Sequence, residues 1–244
     1  MDFEKDIIRL LQLLPKLRRT YLFSATISSR VERLQSAALV NPILVQVSQT
    51  RKIVNNLEQY YVFCPCKHKD LYFFHLLQQF TKKTVIVFVS TCNVAQKLTL
   101  ACEQLHHPAV ALHGHMRQDT RLLMLEKFRQ RKKTLLVATD VASRGLDIPN
   151  VDLVINYDVP IATKDYIHRV GRTARAGRSG IAITMVTQYD IEFVQRIERD
   201  IEEQLREYEV SRDRALMLQD SVNDALRVAT MQFNEQNAKL FRRR

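Results

Sequence analysis

The chain has 244 residues, 46% hydrophobic and 26% charged, proportions close to the globular average that exclude a wholly disordered or collagen-like molecule. No apolar run exceeds five residues, far short of the roughly 20 needed to cross a bilayer. With 37 Lys+Arg against 26 Asp+Glu the net charge is +11, which leaves solubility alone or a polyanionic partner as its purpose. Because the basic residues are spread along the chain and do not line one amphipathic helix, nucleic acid fits better than a membrane surface. The acidic start Met1-Asp2-Phe3-Glu4-Lys5-Asp6 lacks the basic region of a signal peptide, so Cys64, Cys66, Cys92 and Cys102 are expected to stay reduced inside a cell.

In chain order, residues 1–50 read as helix, strand, helix, strand. An amphipathic stretch carries Ile7, Leu10, Leu11 and Leu14; Tyr21 to Phe23 follows, then Arg30 to Leu39, then Ile43 to Val47. Two strands and two helices cannot close a core alone, so this piece is expected to dock elsewhere or to be the tail of a larger domain. From residue 51 to about 205, β-branched runs alternate with helical stretches, the pattern of βαβ units around an open parallel sheet with helices on both faces. The expected strands are Gln59 to Phe63, Thr84 to Val89, Ala109 to Leu112, Thr134 to Ala138, Leu153 to Tyr157 and Ile181 to Val186. Their near-continuous apolar character suits strands covered on both faces. Helices are expected over Asp70 to Phe80, Asn93 to Leu105, Arg117 to Arg129 and Lys164 to Val170. Beyond Asp190 a long helix is expected through Val194, Ile197, Ile201 and Leu205. A second follows from about Arg214 to Phe233, so that 206–244 reads as a basic helical extension.

The five glycines fall at strand ends or in a basic cluster, where turns are tight and backbone N–H groups are exposed. In His168-Arg169-Val170-Gly171-Arg172-Thr173-Ala174-Arg175-Ala176-Gly177-Arg178, Arg172 and Arg175 share one helical turn and could grip a multiply charged anion such as a triphosphate. Choosing Arg over Lys throughout argues for phosphate geometry over a merely solvated face. Directly after a strand, Thr139-Asp140-Val141-Ala142-Ser143-Arg144-Gly145-Leu146-Asp147 alternates hydroxyl, guanidinium and carboxylate. Thr139 and Arg144 could hold a sugar-phosphate backbone, and Asp147 could accept from a ribose hydroxyl. Gln118 and Arg121 share a helical turn just after Gly114, which permits close backbone approach. Together the three clusters are expected along one edge of the sheet.

These motifs resemble the second RecA-like domain of the DEAD-box RNA helicases. Residues 138–147 resemble motif V, 168–175 motif VI, 85–91 motif IV, and Gln118 to Arg121 the Gln-x-x-Arg element. Ser24-Ala25-Thr26 resembles motif III of the first domain, which makes residues 1–50 a remnant of that domain plus a linker. The resemblance extends over about 1–205, and the tail together with Thr187-Gln188-Tyr189-Asp190 is similar to nucleolar members that act in ribosome assembly. It implies ATP-dependent remodelling of RNA, pre-ribosomal partners and a nuclear, nucleolar setting. Arg172 and Arg175 match the arginines that reach the γ-phosphate of ATP, Arg175 being the better match for the finger; Gly145 and Asp147 match positions beside the nucleotide. Thr91, Gly114, Gln118, Arg121, Thr139 and Arg144 match positions on or beside the RNA backbone. Ser24, Thr26 and His168 match elements coupling ATP state to RNA grip.

No Gly-x-x-x-x-Gly-Lys-Ser/Thr and no Asp-Glu-Ala-Asp occurs, so the phosphate cradle and the Mg2+ carboxylates of the family are missing from this sequence. The chain resembles a helicase that begins partway through its first domain, and alone it is expected not to hydrolyse ATP. An alternative is a non-enzymatic module that binds RNA or a protein partner; a flavodoxin-like small-molecule domain is hard to reconcile with the arginine spacing. Cys64-Pro65-Cys66-Lys67-His68 brings zinc to mind, but no fourth ligand follows at a suitable spacing.

Overall fold

A computed structural model describes residues 4–15, 17–23, 29–39, 41–45, 56–140, 148–174 and 179–241. The chain divides into two compact units, Met1–Arg51 and Lys52–Arg244. In the first, helices α1 (Glu4–Leu13) and α2 (Ser29–Ala38) pack against each other, matching the two expected helices. The expected strand at Tyr21 to Phe23 does not form, and neither do the described residues 43–45 of the expected second strand; residues 46–47 lie outside the described residues. Propensity supplies an extended backbone, but a strand exists only where a neighbour takes its hydrogen bonds, and among the described residues none does.

The second unit is built on a seven-stranded sheet in the order β3-β4-β2-β5-β6-β1-β7, with every pairing parallel. Its strands are β1 (Leu57–Phe63), β2 (Val85–Phe88), β3 (Ala109–Leu112), β4 (Leu135–Ala138), β5 (Leu153–Asn156), β6 (Gly180–Val186) and β7 (Arg206–Glu207). Helices α3 (Lys69–Gln79), α4 (Cys92–Gln104), α5 (Gln118–Arg129), α6 (Thr163–Val170) and α7 (Ile191–Ile201) alternate with them, followed by α8 (Arg212–Leu216) and α9 (Gln219–Phe241). The side-chain period of two sorts each strand onto two cores. Val85, Val87 and Val89 pack with α3, α4 and α9, while Ile86 and Phe88 pack with α5, α6 and α7. This two-sided burial is why the strands read as unbroken apolar runs, and it gives the expected open parallel sheet with helices on both faces.

Two expectations need correction beyond Asp190. The long helix stops at Ile201, because Glu202 takes a left-handed backbone (φ 58°) and the Glu198 carboxylate accepts the Leu205 N–H at 2.9 Å. Leu205 is buried as expected, but from an extended segment that continues into β7 beside β1. The second helix is also broken, at Met217 and Leu218, between α8 and α9. Small and apolar residues of α9, Val222, Ala225 and Ala229, are buried, and α9 packs along α4.

Candidate nucleic-acid and nucleotide site

In an all-parallel sheet every strand ends on the same edge, so the loops after β2, β3 and β4 come together by topology alone. Thr91, after β2, caps α4: its Oγ1 accepts the Val94 N–H at 3.2 Å. After β3, residues His113 to Met116 form a turn, with the Met116 N–H donating to the His113 carbonyl at 3.2 Å. A Cβ built on Gly114 would meet nothing within 4 Å, so the chain's own packing does not require glycine there. Arg121 Nη1 donates to Gln118 Oε1 at 2.9 Å, which joins the two residues on one helical turn as expected. After β4, Thr139 is buried and its N–H donates to the Leu112 carbonyl at 3.1 Å, yet among the described residues its hydroxyl has no hydrogen-bond partner. Across the strand pair His113 is similarly buried, and its Nδ1 likewise has no hydrogen-bond partner among the described residues. Burial, then the neighbouring His115, pulls the pKa of His113 down and keeps it neutral.

The third cluster lies elsewhere. Since α6 joins two neighbouring parallel strands, β5 and β6, it runs antiparallel to both and returns the chain to the amino edge. The Arg172 carbonyl accepts the Val151 N–H at 3.1 Å and the Thr173 hydroxyl donates to the Val151 carbonyl at 2.6 Å, just before β5 begins. For the described residues the expectation of three polar clusters along one edge is therefore corrected: Gln118, Arg121 and Thr139 follow the carboxyl ends of β3 and β4, whereas Arg172 lies at the other end of α6. His168 is half-buried in the last turn of that helix, and Arg172 is half-buried just beyond it. Arg144, Gly145, Asp147, Arg175, Ser24 and Thr26 lie outside the described residues.

Between the two ends stands a residue that the sequence reading passed over. Arg169 is 2% exposed and grips Asp140 with both arms of its fork, Nε to Oδ1 and Nη2 to Oδ2, each at 2.7 Å. Its Nη1 donates to the Asp158 carbonyl at 2.6 Å, and its guanidinium lies 5.3 Å from the centre of the Phe88 ring. One side chain of α6 thus ties together the carboxyl ends of β4, β5 and β2. The signal was available: Tyr166, Arg169 and Val170 share a helical face, and the first and last of these are apolar. Beside this hub, the Asp158 carboxylate accepts from the Ser90 N–H and pairs with Lys69, 2.8 and 2.9 Å away.

Cys66 to His68 form a single helical turn, with Cys66 exposed and Cys64 buried, its thiol pushed up to about 11 chiefly by burial. Among the described residues no three His, Cys, Asp or Glu side chains converge on a point that could hold a metal ion.

Residues 67–177 match the family described as the helicase conserved C-terminal domain. The human probable ATP-dependent RNA helicase DDX47 is 48% identical over 244 residues, which are 100% of this chain and 54% of that protein. The ATP-dependent rRNA helicase RRP3 of Coccidioides immitis is 50% identical over 236 residues, 96% of this chain and 50% of that protein. The chain thus spans about half the length of the curated relatives it matches. Among solved structures, the E. coli DEAD-box protein SrmB bound to RraA superposes with a TM-score of 0.60 at 35% identity, covering 63% of this chain and 91% of that one. S. cerevisiae Dbp5 L327V, bound to RNA and ADP BeF3, gives 0.75 at 28% identity, covering 91% of this chain and 59% of that one. With sheet order and both kinds of similarity in agreement, the chain belongs to the DEAD-box helicase family and carries its C-terminal RecA-like domain.

Proposed function

We propose that residues 51–205 supply the second half of an ATP-dependent RNA helicase that remodels ribosomal RNA precursors in the nucleolus, with 1–50 completing a first RecA-like domain and 206–244 an appended extension. In this reading Thr91, Gly114, Gln118, Arg121, Thr139 and Arg144 hold the RNA backbone. Arg172 and Arg175 face the γ-phosphate across the cleft, with Gly145 and Asp147 beside the nucleotide. Ser24, Thr26 and His168 couple the two sites. ATP, when bound, supplies the phosphoryl group, and Mg2+ would be held by carboxylates of the first domain. The partners are that domain and pre-ribosomal proteins.

The observation that supports this best is the unpartnered Thr139 hydroxyl, beside the carboxyl end of β3 and the open space at Gly114. Leaving a buried hydroxyl unsatisfied costs about 1–3 kcal/mol, which an incoming phosphate or ribose oxygen would recover. Backbone contacts of this kind carry no base information, so binding is expected to be indifferent to sequence. Two-domain closure also separates tasks in a way that suits α6, whose ends face the RNA edge on one side and the arginine turn on the other.

The test is fluorescence anisotropy with uridine and adenosine decamers. The 244-residue chain should bind both equally, and Arg121→Ala should lower the salt dependence by about 0.7 log units per log unit of salt, as expected for one lost single-strand phosphate contact. A strong preference for one base, or an unchanged salt slope, overturns the assignment. The chain alone should turn over no ATP, because the sequence holds no phosphate cradle for a finger to complete. Turnover that survives stringent purification and vanishes in Arg175→Ala would reverse that conclusion.

A further inference from the structure

The two edges of the sheet are finished differently. At β3 the residues Ala109, Val110 and Leu112 are buried, whereas Arg206 and Glu207 of β7 are both exposed. Among the described residues β7 pairs with β1 alone, Tyr60 opposite Arg206 and Tyr61 opposite Glu207, and the Tyr208 N–H donates to the Tyr61 carbonyl at 2.8 Å. In a parallel ladder alternate residues face the partner strand, so with Arg206 and Tyr208 turned toward β1, Glu207 directs its N–H and C=O outward. The strand is held firmly: the Tyr208 ring lies edge-on to Tyr60 with centroids 5.6 Å apart, and its hydroxyl donates to Gln79 Oε1 at 2.8 Å. Beside it opens a cavity of about 500 Å³ whose lining includes His75, Gln79, Glu207, Glu209 and Arg214.

The charge of this edge is opposite to that of the chain. Residues 198–209 hold six carboxylates against two arginines in a molecule of net charge +11. Three of those carboxylates serve the fold, since Glu198 takes the Leu205 N–H, Asp200 the Thr163 hydroxyl and Glu203 the Gln59 amide. Glu207 and Glu209 instead line the cavity, two residues apart and hence on one side of an extended backbone. A second copy of this edge would set like charges opposite one another, and RNA phosphates would be repelled in the same way. What complements it is an extended backbone carrying cations at every second position.

We propose that the β7 edge, with its adjoining cavity, is a docking site for an extended segment of a partner protein that adds as a strand beside β7 and sets alternate Lys or Arg residues against Glu207 and Glu209. Backbone bonds to the outward groups of Glu207 give the pairing, and the carboxylates select the sequence. This goes beyond the RNA-binding reading and does not depend on it.

The probe is the capped peptide Lys-Thr-Lys-Val-Lys-Thr-Lys, labelled for anisotropy, against the 244-residue chain. It should bind saturably, slow hydrogen exchange at the Glu207 amide, and bind at least about tenfold more weakly to the Glu207→Lys/Glu209→Lys variant, two exposed charge pairs being reversed. A version N-methylated at alternate amides should lose the binding, while affinity for a uridine decamer should stay unchanged in the variant. Absence of saturable binding up to about 1 mM peptide overturns the proposal. So does equal binding of the N-methylated peptide, which would mean charge attraction without strand addition. Protection of the Glu207 amide by the decamer in place of the peptide would assign the edge to RNA, and overturns it too.

Discussion

Arg169 separates two kinds of arginine that the sequence writes identically. Of the arginines at 169, 172, 175 and 178, Arg172 emerges half-buried at the amino end of the fold, whereas Arg169 is sealed beneath the strand ends and spends its fork on Asp140 and the Asp158 carbonyl. Spacing alone cannot distinguish them, because the partner Asp140 lies 29 residues away and is reached only through the fold. The apolar company of Tyr166 and Val170 was the one local clue. Removing one partner of a buried pair strands the other, so Arg169→Ala should cost about 3 kcal/mol, the lower end of the usual range because Asp140 keeps 27% exposure. Arg169→Lys retains the charge but loses the two-armed grip and should cost about half as much. Urea midpoints of the two variants check this; a loss under about 0.5 kcal/mol for the alanine variant would mean that Arg169 is a passenger in the hub.

At the level of elements, legibility followed covalent and steric rules closely and failed where a partner decided the outcome. The six strands β1 to β6 and the helices between them were readable because burial on both faces writes unbroken apolar runs into the strands and three-four spacing into the helices. β7 is two exposed residues long, carries no apolar pattern, and owes its existence to the edge of β1. The end of α7 was equally hidden: no glycine or proline marks it, and Leu205 continues the helical spacing by coincidence because the strand that follows also points it into the core. The converse case is Gly180, the first residue of β6. A Cβ there would collide with Thr173 Oγ1 and the Ala174 backbone, in the turn that carries Arg172. Thr173 cannot give way cheaply, since its hydroxyl is tied to the Val151 carbonyl and the residue is fully buried. Gly180→Ala should therefore destabilise by about 1–3 kcal/mol, as overpacking does. Gly114→Ala, with open space around it, should leave the melting temperature within about 1 °C and act only on RNA binding. Thermal melts of the pair distinguish a glycine required by packing from one left open for a ligand.

For the whole molecule, acid stability follows from where the histidines sit. His75, His107 and His113 all have their pKa lowered, first by burial and then by Arg214, His106 and His115 respectively. A depressed folded-state value means that the unfolded chain takes up protons first. The stability these residues contribute is complete above the unfolded value of about 6.5 and is lost as the pH falls through the lower folded values. Asp70 acts in the opposite sense, because burial raises its pKa despite the Tyr157 hydroxyl and Lys69. The urea midpoint should therefore fall between about pH 7 and pH 5.5 with an unchanged slope. Growing self-repulsion of a chain already at +11 would lower it as well, and salt separates the two causes. Repulsion between exposed charges is screened within about 8–10 Å at ordinary ionic strength, whereas the burial cost of an imidazolium is not. If the fall persists in high salt and flattens in His75→Gln/His113→Gln, buried histidines set the acid limit of this fold. If salt abolishes it, the limit belongs to net charge, and the two unpartnered strand-end groups, His113 and Thr139, are then to be judged by RNA binding alone.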